Sequence, residues 1–263
     1  MTSSAPTDDN LRGRGPARPR HLKHAPITEA LIDVRVQLEE GFSVKKFDDC
    51  ARQIGGEYPT RGVIRTVLAK LALGVPTVRQ SFEQGELGII VKSPDTKTQA
   101  QFRMDGFTLN RLDPYTSWET IYPEAIRLWQ LYAEVAKPVA IVRLATRYIN
   151  KLKLPLPVAD LRDYLVAPPR IPEGLPQVLE GYLTRLVIRE PSDGHSAIVT
   201  QGLEPDPTAP EHVTILLDID AFQQVSLKAT EHAKIDRVLT RLREFKNAIF
   251  FRSITQRASE LFE

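Results

Sequence analysis

The stretch Arg143-Leu-Ala-Thr-Arg-Tyr-Ile-Asn150, in the middle of the chain, decides the predicted fold. Read at the two-residue period of a β-strand, this stretch and its flanks separate into two faces. The apolar face carries Val142, Leu144, Tyr148 and Leu152, and the opposite face carries the cations Arg143, Arg147 and Lys151. A strand divided in this way is typical of a sheet that is covered by helices on one face and open on the other.

The composition is that of a globular protein with one large domain or two small ones. Of the 263 residues, 42% are hydrophobic and 26% are charged, and the formal net charge is +2. The first 25 residues hold five cations and two acids and so contribute +3, which leaves −1 for the remainder. A dedicated duplex-DNA binder usually has a basic footprint over the whole domain. The charge balance therefore argues against that class, and nucleic acid is a weakly supported partner.

Residues 1–24 are rich in serine, proline, glycine and arginine, and we expect them to form a disordered basic leader. They lack the central apolar run of a secretory signal, and no apolar run in the chain is long enough to cross a bilayer. The single cysteine, Cys50, has the helical spacing of a small core residue and cannot form an intrachain disulfide. We therefore expect a bacterial-type cytoplasmic protein that does not associate with membranes.

Hydrophobic periodicity predicts a strand, a helix, several strands and a long helix in the first half of the chain. The first strand covers residues 27–38, and Ser43 is a suitable N-cap for the helix that follows. Thr116 and Glu119 have the spacing of a capping box, which predicts a helix over 116–136. The intervening strands are predicted at 78–82, 87–91, 99–104 and 107–112, with turns at Gln84-Gly85, Ser93-Pro94-Asp95 and Asp105-Gly106.

The second half repeats this plan loosely. We predict a long strand over 139–153, a short helix over 159–165, strands at 182–190, 196–201 and 213–219, a long helix over 228–247 and a last helix near 255–262. The predicted class is α+β, with a mainly antiparallel sheet backed by two long helices and an internal duplication of a strand–helix–strands–helix unit. The two halves, residues 25–137 and 138–263, would form one compact domain.

Several predicted strands share the polar face seen at the central stretch. If they belong to one sheet, its open face holds interleaved cations and acids. In the simplest interpretation this is a solvated surface whose cross-strand ion pairs contribute little each. Alternatively, it is a groove in which cations clamp an acidic ligand. The candidate ligand-binding residues are then Arg143, Arg147, Lys151, Arg185, Arg189 and Arg35.

A third interpretation assigns the acids of this face to a divalent cation that supports phosphoester chemistry. Its candidate ligands are Glu29, Asp33, Asp218 and Asp220. No other cofactor is predicted and no catalytic residue is assigned. The sequence has no Walker-type phosphate loop, no dinucleotide-binding glycine fingerprint and no nucleophile elbow. His21 and His24 form the only histidine pair with a metal-ligand spacing, and they lie in the predicted leader.

Five segments combine into a pattern that spans nearly the whole chain after the leader. They are Ala25-Pro-Ile-x-Glu29-Ala-x-Ile-Asp33-x-Arg35, Asp105-Gly-Phe107-x-x-Asn110-Arg-Leu-x-Pro-Tyr115-x-x-Trp118-Glu119, Arg147-Tyr-Ile-Asn150, Leu217-Asp-Ile-Asp220 and Lys246-Asn247-x-x-Phe250-Phe251-x-Ser253-Ile-Thr255. Together they resemble a sporadically distributed family of uncharacterised bacterial proteins. That family has no established activity, so the resemblance implies no catalytic residue. Its patchy occurrence implies an accessory gene, of the kind carried with mobile elements, defence loci or toxin–antitoxin loci.

The leading hypothesis is a non-catalytic binding or regulatory protein that recognises an acidic ligand or partner through the charged sheet face. That partner would be a protein or an anionic small molecule. One alternative is a metal-dependent phosphohydrolase or nucleotide-processing enzyme that uses the four acids. Another is an antitoxin, immunity-type or defence-associated accessory subunit that binds a partner protein.

Overall fold

A computed structural model describes residues 14–71, 80–204 and 211–263, and the side chains of these residues except 66–71 and 80–84. Nine strands form one antiparallel sheet, and within the described residues four α-helices accompany it. The strands are β1 (Ile27–Gln37), β2 (Thr60–Leu71), β3 (Gln80–Lys92), β4 (Thr98–Arg103), β5 (Gly106–Leu112), β6 (Ala140–Pro155), β7 (Leu183–Arg189), β8 (Ser196–Glu204) and β9 (His212–Leu227). The helices are α1 (Phe47–Gln53), α2 (Trp118–Ala136), α3 (His232–Ser253) and α4 (Gln256–Glu260). The predicted α+β class with an antiparallel sheet is confirmed.

The order of the strands in the sheet is β2-β3-β4-β5-β1-β6-β9-β8-β7. The chain divides into two compact units. Of the described residues, those within 14–29, 146–223 and 239–263 form the first unit, and those within 30–145 and 224–238 form the second. The elements β1, β6, β9 and α3 each contribute residues to both units.

The central stretch lies on β6, and its side chains alternate between a buried and an exposed face, as predicted. Leu144, Tyr148 and Leu152 on its apolar face are buried, whereas Arg147 and Lys151 on the other face are exposed. Val142, at the start of the predicted apolar face, is exposed. The first predicted strand corresponds to β1, and its apolar face is buried along its length: Ala30, Ile32, Val34 and Val36.

The Asp105-Gly106 dipeptide marks a hairpin, as predicted, between β4 and β5. Arg103 pairs with Gly106, so Met104 and Asp105 form the turn and the glycine is the first residue of β5. A glycine is needed because its φ of +145° is disfavoured for other residues. A side chain at this position would also collide with the backbone of Val34, since a Cβ would lie 2.1 Å from that carbonyl oxygen.

A second predicted turn, at Gln84-Gly85, is wrong. The strand β3 continues through both residues and pairs with β2 along its whole length. The register shifts by one residue between Ile64 and Arg65, which is the signature of a β-bulge on β3. The bulge falls at Leu87, whereas Gly85 pairs in regular register with Thr66. A glycine also occurs within strands, so its presence in the sequence does not by itself mark a turn. Residues 78 and 79 of the predicted strand 78–82 lie outside the described residues.

The predicted long helix over 116–136 corresponds to α2, but its N-cap is Ser117 and the predicted Thr116 lies one residue earlier. The Ser117 hydroxyl accepts a hydrogen bond from the Thr120 amide, which satisfies one of the free N–H groups at the helix start. The buried side chains of α2 pack in the second unit, where the Tyr132 hydroxyl donates to the Arg103 carbonyl of β4 at 2.9 Å. The ring of Tyr132 also stacks on those of Phe47 and Trp129.

The second long helix, α3, is shifted from its predicted bounds of 228–247. It begins at His232 and continues through the Ile249-Phe250-Phe251 segment to Ser253. The short helix predicted over 159–165 is a single 3-10 turn, Leu161–Asp163, which Asp160 caps. A helix near the C-terminus was predicted over 255–262 and is present as α4.

Residues 14–24 of the predicted leader make contacts in the first unit. Arg14 donates to the Asp163 carboxylate at 3.0 Å, and the amide of Ala17 donates to the Ile254 carbonyl. The side chains of Ala17 and Leu22 are buried. Residues 1–13 of the predicted leader lie outside the described residues.

Candidate functional site

A buried carboxylate, Asp33 on β1, lies at the centre of a cluster of guanidinium groups in the second unit. Its Oδ2 accepts from Arg35 Nε at 3.0 Å and from Arg143 Nη1 at 3.2 Å. Its Oδ1 accepts from Arg103 Nη2 at 3.1 Å and from the Thr108 hydroxyl at 2.6 Å. Four donors from four strands therefore satisfy both oxygens of one carboxylate.

Two opposing effects act on the pKa of Asp33. Burial disfavours the charged carboxylate and raises the pKa, whereas the positive charge of Arg35, the hydrogen bond from Thr108 and the charges of Arg103 and Arg143 lower it. The net pKa lies below the ordinary aspartate value. Asp33 is therefore ionised at neutral pH, and its charge is shared among three guanidinium groups.

A second acid, Asp105 in the β4–β5 turn, extends this network. It accepts from Arg103 Nε at 3.0 Å and forms a close ion pair with Arg35. Arg103 also donates through Nη1 to Gln101 at 3.0 Å, and Gln101 donates in turn to the Asn110 side chain at 3.1 Å. The three arginines and two aspartates of the network leave an excess of one positive charge.

The guanidinium groups of Arg35 and Arg143 thus converge on a carboxylate that the same sheet supplies. In a ligand clamp the cations would surround a space left for a foreign anion. In this network the internal acid holds them in fixed positions, and removing it would leave like charges together. These two candidate ligand-binding residues are members of an ion-pair network.

In the first unit, two further candidate cations on β6 are paired with acids. Arg147 donates to Asp218 through two bonds, Nε to Oδ1 at 2.9 Å and Nη2 to Oδ2 at 2.6 Å. The hydrogen bond to Asp218 raises the pKa of Arg147, as do the charges of nearby acids. Lys151 Nζ lies 2.9 Å from a Glu204 carboxylate oxygen. These pairs are partly exposed, so solvent screens each of them.

The last two candidate cations, Arg185 and Arg189, are exposed on β7. Within the part of the chain that the structure describes, no ion pair engages either of them. Arg185 lies opposite Thr200 on β8, and Thr200 lies opposite Asp218 on β9. Because directly opposed residues share a face of a sheet, Arg185 and Arg189 lie on the same face as Asp218.

The acids proposed as metal ligands have other partners. Asp33 holds three guanidinium groups and Asp218 holds Arg147. Glu29 and Asp220 also take part in interactions of their own. Among residues 14–71, 80–204 and 211–263, no three His, Cys, Asp or Glu side chains lie together in a way that could hold a metal ion.

Sequence reasoning missed three members of the Asp33 network: Arg103, Asp105 and Thr108. A signal was present, because the polar residues Gln99, Gln101 and Arg103 alternate along β4 with the buried apolar residues Ala100 and Phe102. It also missed Lys246, a buried lysine on α3 whose amine lies over the ring of Tyr148. The sequence marks it only as a lysine within an otherwise apolar helical stripe.

Two comparisons with known proteins find no match. No model of a protein family matches the chain, and no curated protein matches it. The family membership suggested by the five motifs therefore stays a prediction. Where the structure describes the chain, none of the helices combines the length and the apolar character needed to cross a membrane.

Proposed function

We propose that the protein is a non-catalytic binding protein that recognises an acidic partner through the open face of its sheet. The observation that carries this proposal is a difference in ion pairing between the two cations of β7 and the other four candidate cations. Arg35, Arg143, Arg147 and Lys151 are matched by acids of the protein itself, whereas Arg185 and Arg189 point to solvent. The recognition residues are therefore Arg185 and Arg189.

The paired cations have a supporting role in this proposal. Asp218 and Arg147 hold each other in place in the row of side chains that begins at Arg185 and Thr200. Because Asp218 is already neutralised, it repels an incoming acid less strongly than a free carboxylate would. Arg185 and Arg189 then provide the uncompensated charge that attracts an acidic segment.

The enzyme hypothesis would need the same acids to be open to a cation. Asp33 and Asp218 instead accept hydrogen bonds from arginines through both carboxylate oxygens. The antitoxin or accessory-subunit hypothesis is a special case of partner binding, and it stays a prediction.

The strand order supports the predicted internal duplication. In the first half, β1 precedes a series of hairpin strands whose last member, β5, lies beside β1. In the second half, β6 precedes the series β7, β8 and β9, whose last member lies beside β6. A helix follows each series, α2 of 19 residues and α3 of 22. We infer that the two halves derive from one ancestral strand–helix–strands–helix unit, whose first helix is α1 in the first half and is reduced to the 3-10 turn Leu161–Asp163 in the second.

The proposed recognition can be tested with a defined acidic probe. The probe is a fluorescein-labelled heptapeptide, Thr-Glu-Val-Thr-Val-Glu-Thr, and its binding is followed by fluorescence anisotropy at low salt. The double variant Arg185→Glu/Arg189→Glu should bind at least tenfold more weakly than the wild type, because attraction becomes repulsion. The same peptide with lysine in place of glutamate should bind the wild type at least tenfold more weakly than the acidic probe.

The matched control is Arg237→Glu/Arg252→Glu, which makes the same change in net charge at two exposed positions of α3. It should retain wild-type affinity within about twofold, since it leaves β7 unchanged. Equal binding of the acidic and basic probes, or equal losses in the two double variants, would contradict recognition by β7.

A further inference from the structure

The strand β7 is an edge of the sheet and exposes apolar side chains on both of its faces. It is the last strand in the order, and β8 is its one neighbour among the strands that the structure describes. Leu183, Leu186 and Val187 are 71%, 60% and 61% exposed, and Ile188 is exposed as well. Natural sheets usually protect an edge with short strands, proline or inward-facing charges, because an open edge pairs readily with another chain. The part of β7 between its two arginines has none of these.

The free backbone groups of this edge can be assigned from the pairing with β8. Tyr182 accepts from the Leu203 amide, and the Glu190 amide donates to the His195 carbonyl. The backbone N–H and C=O groups of the even-numbered residues of β7 therefore point to β8. Because these groups alternate in direction along a strand, those of the odd-numbered residues point outward. The outward residues are Leu183, Arg185, Val187 and Arg189. Their N–H and C=O groups form a template for one more strand.

We propose that the acidic partner segment binds as an extended strand that adds to the outer edge of β7. This inference rests on the proposed recognition of an acidic partner and specifies its form. Strand addition satisfies the outward backbone groups of β7 and covers Leu186 and Ile188 with apolar side chains of the incoming segment. It also places every second side chain of that segment beside Arg185 and Arg189.

The edge specifies the sequence of the incoming strand. Arg185 and Arg189 are four residues apart on one face, about 13 Å along a strand. Two acids four residues apart would lie opposite them. The two positions that flank the centre would lie opposite Leu186 and Ile188 on the other face and should be apolar. The expected segment is acid–apolar–any–apolar–acid, and we expect it to pair antiparallel to β7, as β8 does on the other side.

A second copy of β7 fits this edge poorly. A two-fold axis perpendicular to the sheet keeps each side chain on its own face. The four guanidinium groups of the two copies, from Arg185 and Arg189, would therefore lie together on one face of the joined sheet. Like charges placed across neighbouring strands are destabilising, whereas an acidic strand neutralises the same two arginines. Charge complementarity thus favours an acidic partner strand.

The experiment uses the full-length protein and the acidic heptapeptide. A second version of the peptide carries an N-methyl group on its central threonine, which lies opposite Val187 in the proposed pairing. N-methylation removes one backbone donor and blocks the ladder without changing the charge. The methylated peptide should bind at least tenfold more weakly than the unmodified one. In the protein, Val187→Pro should have the same effect, since it removes an outward N–H and leaves the bonds to β8 intact.

The outcomes separate the two proposals. If both peptides bind equally well, strand addition is wrong and the recognition of an acidic partner survives. If the unmodified acidic peptide binds no more tightly than the same peptide with lysine in place of glutamate, the proposed function itself fails. If sedimentation shows a dimer that Val187→Pro dissociates, and the acidic peptide does not bind, a second copy occupies the edge and the inference is overturned. Should Val187→Pro fail to fold, the pair of peptides on the wild-type protein gives the same decision.

Discussion

The amine of Lys246 lies 3.3 Å from the centre of the Tyr148 ring, in the interior of the first unit. Lys246 comes from α3 and is only 6% exposed, and Tyr148 lies on the buried face of β6. Burial and, to a smaller extent, the charge of nearby Arg243 together lower the pKa of this lysine to about 7. The ring face has the opposite effect, because it attracts the charged amine.

We expect the free energy of unfolding to depend on pH through Lys246. The pKa is lower in the folded than in the unfolded chain, so between about pH 7 and pH 10 the unfolded chain binds more protons. Folded stability therefore rises with pH in that range, with a slope of at most about 1.4 kcal/mol per pH unit. Lys246→Met should remove this rise and should be more stable than the wild type at pH 7. Urea unfolding at several pH values measures both effects.

The control for this prediction is Lys234→Met, which replaces an exposed lysine of the same helix. Its unfolding free energy should follow the pH dependence of the wild type. A second variant, Tyr148→Leu, removes the ring that favours the charged amine and should move the rise to lower pH. Parallel curves for the wild type and Lys246→Met would show that the amine keeps an ordinary pKa.

The Asp33 network predicts a large loss of stability for Asp33→Asn. Asparagine keeps the shape of the side chain but leaves three guanidinium groups around a neutral amide. Each of them loses the charge of Asp33, and Arg35 and Arg103 keep their contacts with Asp105. We expect a loss of about 3 kcal/mol at pH 7, within the range for breaking a buried ion pair from one side. The control Asp49→Asn, in an exposed pair with Arg52, should lose less than about 1 kcal/mol.

We also expect the loss of stability in Asp33→Asn to depend on pH in the acid range. The pKa of Asp33 is lower in the folded chain, so its charge stabilises the fold above about pH 4, and this contribution is lost as the pH falls through the folded value. The difference in unfolding free energy between the wild type and Asp33→Asn should therefore shrink as the pH falls from 5 towards 2. A difference that stays constant over this range would show that the effect of the variant is steric.

How far the sequence predicts this site is clear from Arg143. Alternation along β6 is a local property, so the strand and its polar face follow from the residues themselves. The partner of Arg143 is Asp33, which is 110 positions earlier in the chain. Only the pairing of distant strands brings them together, and a single sequence does not specify which strands are neighbours. The candidate residues could be named, but whether each cation was paired could not.

The same limit applies to β7. Its sequence predicted a strand with Arg185 and Arg189 on one face, and that strand is present. An interior strand and an edge strand have similar local sequences, and the exposure of Val187 follows only from the order of the strands. The exposed edge at β7 is therefore a surface that the local sequence pattern does not distinguish from an interior strand.

The turn between β4 and β5 provides a test of the close approach of β1. Gly106→Ala would place a Cβ 2.1 Å from the Val34 carbonyl oxygen, in a backbone conformation with a φ of +145°. We expect a loss of about 3 kcal/mol or more, measured by urea unfolding. Gly41→Ala is the matched control, because Gly41 also has a positive φ, +83°, but nothing lies near its Cβ position. It should lose about 1 kcal/mol, and equal losses would show that backbone conformation alone is responsible.

Cys50 provides a test of the core of the second unit without any substitution. Its side chain is fully buried on α1, and burial together with Asp49 raises the thiol pKa to about 12. Since the thiolate is the reactive form, both effects oppose reaction. In native buffer at pH 8, Ellman's reagent should therefore react with Cys50 at least about a thousandfold more slowly than in concentrated urea.

The dependence of this thiol reaction on urea distinguishes two routes of exposure. If Cys50 becomes reactive only when the whole protein unfolds, the reaction rate should rise with urea as steeply as the unfolded fraction does. A shallower rise would show that α1, a helix of seven residues, opens by itself while the sheet stays folded. Rapid reaction in native buffer would contradict the burial of the thiol, and with it the packing of α1 in this unit.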